Sequence, residues 1–269
     1  MGEMVANGIR TSVWRSGSGE PLVWVMGTGM SGRAWHRYQV PAFANQYECI
    51  TYDMRGVGSA DCPDSPYTPR LLAEDLVALL DALEIESAHL AGFSLGSCAI
   101  QEAALMAPDR VKSAVLLSTW SNTALEHHVR RHYEGRKYAL EHGPMEVFRK
   151  FAFWMWAPSM VDEEYATICE LEEFLATVSG SADLSGFIGH FAADIAHDTL
   201  ARLPEFPCPT LVVHGDEDLI TLPSYNRRVA NAIPGCRYEV VPRGGHLAFL
   251  EQPKGVNMAI SVFLESLRG

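Results

Sequence analysis

The residues of this chain best suited to chemistry are gathered in Gly92-Phe93-Ser94-Leu95-Gly96, preceded by the apolar run Ala88-His89-Leu90-Ala91 and followed by a helix-forming stretch from Ser97 to Met106. A serine in G-x-S-x-G between strand and helix reads as a nucleophile elbow. Its backbone is strained there, and a side chain at position 92 or 96 would clash with adjoining backbone, so glycine is needed on both sides. The helix that follows turns its unpaired N–H groups toward Ser94, where negative charge develops as a carbonyl is attacked. One short motif thus offers a nucleophile and part of an anion site.

A serine nucleophile needs a base, and the base needs an orienting acid. Two distant segments supply both. Thr210-Leu211-Val212-Val213-His214 leads into Gly215-Asp216-Glu217-Asp218, and Arg237-Tyr238-Glu239-Val240-Val241 leads into Pro242-Arg243-Gly244-Gly245-His246. In chain order serine, acid and histidine each follow an apolar run. In an open parallel sheet the carboxyl ends of the strands share one edge, so loops remote in sequence converge there.

Those loops require a frame, and the rest of the chain reads as one. Residues 3–15 form a hairpin turning at Asn7-Gly8, a pair that favours the positive φ of a two-residue loop. Strands are expected at 21–26, 47–52, 88–92, 111–118, 210–214 and 237–241, which with the hairpin makes eight. Helices alternate with them, notably 69–83, where Leu72, Leu76, Leu79, Leu80 and Leu83 keep helical spacing, and 256–267. Strand–helix alternation implies an α/β protein whose mostly parallel sheet is covered on both faces. The alternation breaks once. Residues 121–203 contain no convincing strand, only helical stretches and the aromatic residues Phe148, Phe151, Phe153, Trp154 and Trp156, before Pro207-Cys208-Pro209 restores extended chain. The division expected is a core of residues 1–120 and 204–269 with a helical cap of 121–203 over the Ser94 edge. Its aromatics either glue the cap helices together or line a water-excluding pocket for a small to medium, partly apolar substrate.

In these features the chain resembles the α/β-hydrolase fold superfamily, as a serine hydrolase with a helical cap, over nearly its whole length. Tyr52-Asp53-Met54-Arg55-Gly56-Val57-Gly58-Ser59 is similar to the family's D-x-R-G-x-G-x-S loop, and Trp24-Val25-Met26-Gly27-Thr28-Gly29 to its oxyanion loop, with Met26 where a histidine is usual. The order Ser, Asp, His is also the family's. The resemblance implies Ser94 as nucleophile, His246 as general base, Asp218 as orienting acid, and the N–H groups of Thr28 and Leu95 as oxyanion hole. Asp218, three residues past Gly215, matches the family's G-x-x-D pattern better than its neighbour Asp216. Substrate contacts are expected from Gly29, Met30, Trp120, Phe151, Trp154, Trp156 and Leu247. No metal or organic cofactor is implied.

Composition bounds the partners. The chain has 269 residues, 48% of them hydrophobic, and a net charge of −12, which argues against nucleic acid and anionic membranes. No apolar run approaches the ~18 residues of a membrane span, and the first residues lack the pattern of a secretion signal. The six scattered cysteines, Cys49, Cys62, Cys98, Cys169, Cys208 and Cys236, form no C-x-x-C pair and read as reduced packing residues of a cytoplasmic protein. A small-molecule substrate is the partner expected.

Competing readings attach to several residues. Gly27-Thr28-Gly29-Met30-Ser31-Gly32 fits G-x-G-x-x-G, and Asp53 follows as a dinucleotide site requires, although Met54-Arg55-Gly56-Val57-Gly58 has no place in that reading. Asp53 and Arg55 read as a structural pair steadying a loop. His127, His128 and His132, with Arg130, Arg131, Arg136 and Lys137, read as a solvated helix face. The same run suits an anionic handle such as a phosphopantetheine carrier. His36, His89, His190, His197 and His214 read as packing or surface histidines. The electrophile is left open among carboxylic ester, lactone and thioester. Use of the same site by a cofactor-free lyase, cyclase or acyltransferase is the alternative within enzymes, and a ligand-binding receptor with a retained triad is the one outside them.

Overall fold

The computed structural model describes residues 2–64, 66–143, 150–179 and 184–268. Asn7 and Gly8 take φ of 49° and 73° and close a hairpin between β1 (Gly2–Ala6) and β2 (Ile9–Ser16). β2 then pairs antiparallel with β4 (Tyr47–Tyr52), and from there every pairing is parallel. The sheet runs β1-β2-β4-β3-β5-β6-β7-β8, with β3 (Glu20–Val25), β5 (Ala88–Phe93), β6 (Val111–Leu117), β7 (Thr210–Gly215) and β8 (Arg237–Val241). β3, β5 and β7 are buried along most or all of their length, as strands covered on both faces must be.

Helices cover both faces. α1 (Gln39–Phe43) and α10 (Pro253–Glu265) lie on one side, with Trp24, Trp35, Phe43 and Phe249 in the core beneath them. α2 (Pro69–Ala82), α3 (Leu95–Met106) and α8 (Pro223–Ala232) cover the other. α2 starts where its sequence says it should: the Thr68 hydroxyl accepts the Leu71 N–H, and Pro69 occupies the first helical turn, where no N–H is needed.

Between β6 and β7 the chain leaves the sheet. The insertion carries α4 (His127–His142), a 3₁₀ turn (Phe151–Met155), α5 (Pro158–Glu163), α6 (Tyr165–Ser179) and α7 (Leu184–Ala196). Its two ends meet: the Thr199 N–H donates to the Ser121 carbonyl at 2.8 Å, and Asn122 bridges to Asp198. Phe148, one of the aromatics of interest, lies outside the described residues. α9 (Ala248–Glu251) follows the His246 loop. All six cysteines are free thiols. Among the described residues no helix is long and apolar enough to cross a membrane.

Candidate active site

Ser94 stands between β5 and α3 with φ 52° and ψ −122°, a conformation costly for any residue with a Cβ. The fold tolerates it because its neighbours are glycines. A Cβ on Gly92 would lie 2.6 Å from the Gly96 carbonyl oxygen, and one on Gly96 2.6 Å from that of Met26. The β7 and β8 loops end at the same edge, and the three residues come together. His246 Nε2 is 3.1 Å from Ser94 Oγ, and His246 Nδ1 is 2.9 Å from Asp218 Oδ2. All three are at most 2% exposed.

The hydrogen bonds of Asp218 fix the histidine tautomer. Its Oδ1 accepts the N–H groups of Ile220 and Thr221, and its Oδ2 accepts the Thr221 hydroxyl at 2.7 Å, so His246 must present Nδ1–H to Oδ2 and leave Nε2 to accept the Ser94 proton. Burial alone would raise the Asp218 carboxyl, but the charge and hydrogen bonds of His246, with the Thr221 hydroxyl and the Ile220 N–H, outweigh it and hold the group below its ordinary value. Asp216 is exposed and accepts the Arg243 N–H at 2.7 Å, which shapes the loop and leaves it out of the cluster.

The N–H groups of Thr28 and Leu95 have no acceptor among the described residues, Leu95 being the first residue of α3, where such orphans are expected. The loop at Thr28 is held from below by Asp53, which accepts the Ser31 hydroxyl at 2.6 Å, the Gly32 N–H and the Ser59 N–H. That carboxylate is fully engaged, and the loop runs into a short 3₁₀ turn (Gly32–His36) rather than a long helix, so the dinucleotide reading has no structural basis. Asp53 and Arg55 are not a pair. Arg55 forms a two-pronged ion pair with Asp75 of α2 at 2.5 Å, because its side chain points to the opposite side of the loop.

From above, the loop is held by α7. The Gly29 N–H donates to His190 Nδ1 at 3.1 Å, while His190 Nε2 donates to the Arg55 carbonyl. Both ring nitrogens are thus used by a neutral imidazole, and burial pushes its pKa down to about 4. The Thr28 hydroxyl donates to Asp194 at 2.8 Å, and burial raises that carboxyl well above its ordinary range against the opposing pull of Thr28 and Arg136. α4 contributes a hydroxyl directly: Tyr133 Oη lies 3.1 Å from Ser94 Oγ. The basic run on α4 is therefore not wholly a solvated face. His132 and Arg136 share its buried side with Val129 and Tyr133, as their three- and four-residue spacing requires. Burial drives the His132 imidazole down to about 2. His132 Nε2 and Asp194 Oδ1 are buried with no partner among the described residues.

The expected substrate contacts are divided. Gly29 lies under Phe187 of α7, whose ring a Cβ there would overlap, and Met30 is sealed into the core. Trp120 is fully buried, bonded to Thr123, and backs the Tyr133 ring. The Phe151 ring packs edge-on to His132 at 5.9 Å. Trp156 and Leu247 meet in an apolar cavity of about 430 Å³ with Met155 and Leu175. Trp154 is 44% exposed beside Phe153 at 57%, on a 3₁₀ turn none of whose residues is fully buried. Sequence reasoning missed Tyr133, His190 and Asp194. The signal for Tyr133 was there, four residues after Val129 on a helix whose other residues are mostly polar.

Behind His246, Glu251 ties the site to the insertion by accepting the N–H groups of Gly245 at 2.7 Å and of Ala157 at 2.6 Å. Burial raises its pKa to about 7. The folded state therefore keeps a proton that the unfolded chain releases near the ordinary carboxyl value, and this group's contribution to stability is lost as pH rises from about 4.5 through 7. Glu251→Gln removes that dependence. Urea melts are expected to show the wild type's advantage over the variant larger at pH 5 than at pH 8 by at least about 1 kcal/mol, one pKa unit being worth about 1.4. An advantage constant across that range would mean that Glu251 does not titrate there.

Residues 20–253 match the alpha/beta hydrolase fold family, and the chain belongs to that family. It is 32% identical to a Mycobacterium tuberculosis protein provisionally named non-heme bromoperoxidase BpoC, covering 94% of this chain and 97% of that one. It is 31% identical to an Azorhizobium caulinodans protein provisionally named carbamate hydrolase RutD, covering 86% of this chain and 85% of the relative. Among solved structures, Est816, described as an N-acyl homoserine lactone degrading enzyme, is similar with a TM-score of 0.83 at 26% identity, covering 97% of this chain and all of the other.

Proposed function

We propose that the protein is a serine hydrolase that cleaves a small to medium, partly apolar carboxylic ester, lactone or thioester through an acyl-Ser94 intermediate. The observation that carries this reading is the continuous chain from Ser94 Oγ through His246 to Asp218, set beside the unclaimed N–H groups of Thr28 and Leu95. In the mechanism, His246 Nε2 takes the Ser94 proton as Oγ attacks the carbonyl carbon. Asp218 holds the imidazole tautomer and balances its charge. The Thr28 and Leu95 N–H groups receive the developing oxyanion, a donation worth roughly 2.7 to 4 kcal/mol per donor in comparable sites. The protonated histidine then gives its proton to the leaving group, and water activated by the same nitrogen releases the acid. The relatives support acyl chemistry, since a carbamate and an N-acyl homoserine lactone are named for two of them. The apolar cavity beside Leu247 suits an aliphatic substituent, and the unpartnered atoms of His132 and Asp194 suit a polar one.

Assay of the purified protein against short and medium p-nitrophenyl esters, lactones and acyl thioesters tests the reading. Turnover of at least one class well above the buffer rate is expected; a protein inert to all three would sink it.

A further inference from the structure

Resting on that acyl-Ser94 reading, we propose that Tyr133 is a further catalytic residue, whose hydroxyl donates a hydrogen bond to Ser94 Oγ and thereby promotes release of the acyl group from the serine more than its attachment.

The direction of the bond follows from counting protons. Among the described residues Ser94 Oγ has two polar neighbours, His246 Nε2 and Tyr133 Oη, each at 3.1 Å. His246 Nδ1–H is committed to Asp218, so Nε2 has no proton and must receive the one on Ser94. A serine hydroxyl has only that proton to give. Tyr133 is therefore the donor and occupies one lone pair of Oγ, leaving the other for attack. The ring is wedged between Trp120 at 5.7 Å, Phe191 at 6.2 Å and His132 at 5.3 Å, so the hydroxyl is placed by packing. Burial raises its pKa well above the ordinary value, and it stays protonated throughout the reaction.

A donor fixed on Oγ acts differently on the two half-reactions. In the free enzyme Oγ is a hydroxyl oxygen, a good acceptor, and the bond is already made before attack, so acylation gains little from it. In the acyl-enzyme Oγ is the bridging oxygen of an ester, a poor acceptor because its lone pair is delocalised into the carbonyl. During deacylation water adds to the acyl carbon while His246 Nε2 takes a proton from it. The tetrahedral intermediate then breaks its C–Oγ bond, the electron pair passes to Oγ, and His246 returns its proton there. Charge builds on Oγ as the bond breaks, and the Tyr133 O–H strengthens its hydrogen bond without transferring its proton. The gain thus falls mainly between acyl-enzyme and the second transition state.

Stopped-flow release of p-nitrophenol from p-nitrophenyl acetate, with intact-mass analysis of acid-quenched samples, separates the steps. Tyr133→Phe is expected to lower the deacylation constant at least about tenfold while acylation changes by less than about threefold, so acetyl-Ser94 accumulates and the release becomes biphasic. Placing 3,5-difluorotyrosine at 133 restores a more acidic donor of nearly the same shape and, at pH 6, should raise deacylation above the wild-type value and with it the ratio of deacylation to acylation. Equal loss in both steps, or a change confined to KM, overturns the proposal and leaves Tyr133 a piece of the roof. If Tyr133→Phe does not fold, the difluorotyrosine protein carries the test, and an unchanged ratio of the two constants overturns the proposal. Absence of any Ser94-dependent release of p-nitrophenol by the wild type, judged against Ser94→Ala, is a separate result, which removes the acyl-Ser94 reading and this proposal with it.

Discussion

Ser94→Ala is expected to abolish covalent labelling by a fluorophosphonate probe and to lower turnover of an activated ester by about 10⁶-fold, the scale seen when the nucleophile of an unrelated triad is removed. The side chain is small and, among the described residues, its only polar partners are His246 and Tyr133, so the loss should be chemical rather than structural. Thermal melting should move little. The strained φ of 52° is retained by alanine, and the glycines that make room for the turn are untouched. Labelling that persists in the variant and maps to another serine would show that the elbow is not the reactive centre.

Asp218→Asn is expected to cost about 10⁴ in turnover, as the comparable change does in another triad. An amide matches the carboxylate in shape but can present a donor to His246 Nδ1, which turns the imidazole to the tautomer that cannot accept the Ser94 proton. Two N–H groups and the Thr221 hydroxyl also converge on this carboxylate, so the amide leaves at least one of four donors unmatched. Asp216→Asn keeps an acceptor for the Arg243 N–H on an exposed loop and should lose less than about tenfold. Circular dichroism establishes that both variants are folded before rates are compared. A crippled Asp216→Asn beside a near-normal Asp218→Asn would move the acid by two residues.

What could be read from the sequence was whatever depends on short stretches of chain. The strands at 47–52 and 237–241 fall where their apolar runs end, and the turn at Asn7-Gly8 follows from the φ its residues accept. Ser94, Asp218 and His246 were legible because each follows a strand, and the parallel sheet does the rest. The roof was not legible. Tyr133, His190 and Asp194 lie on helices with no motif, and each is buried by docking against a loop more than thirty residues away in sequence. A cluster of histidine and arginine looks solvated until a partner helix covers one side of it, which is why His132 and Arg136 read as exposed. Trp154 stands partly exposed because the short turn that carries it buries none of its residues fully. Arg55 found its counter-ion on α2 because a bidentate carboxylate at 2.5 Å was in reach there, while Asp53 was saturated by the Ser31 and Ser59 loop.

The grip of α7 on the loop at Thr28 and Gly29 makes the inserted segment and the sheet edge a single heritable unit. Two bonds, from Gly29 to His190 and from Thr28 to Asp194, set that loop from outside the sheet. Grafting the segment between Ser121 and Thr199 from one relative to another would therefore carry over more than a new preference for substrate. A donor segment lacking an imidazole and a carboxyl at those two places would leave a folded chimera whose serine, histidine and aspartate are aligned but whose loop at Thr28 is adrift.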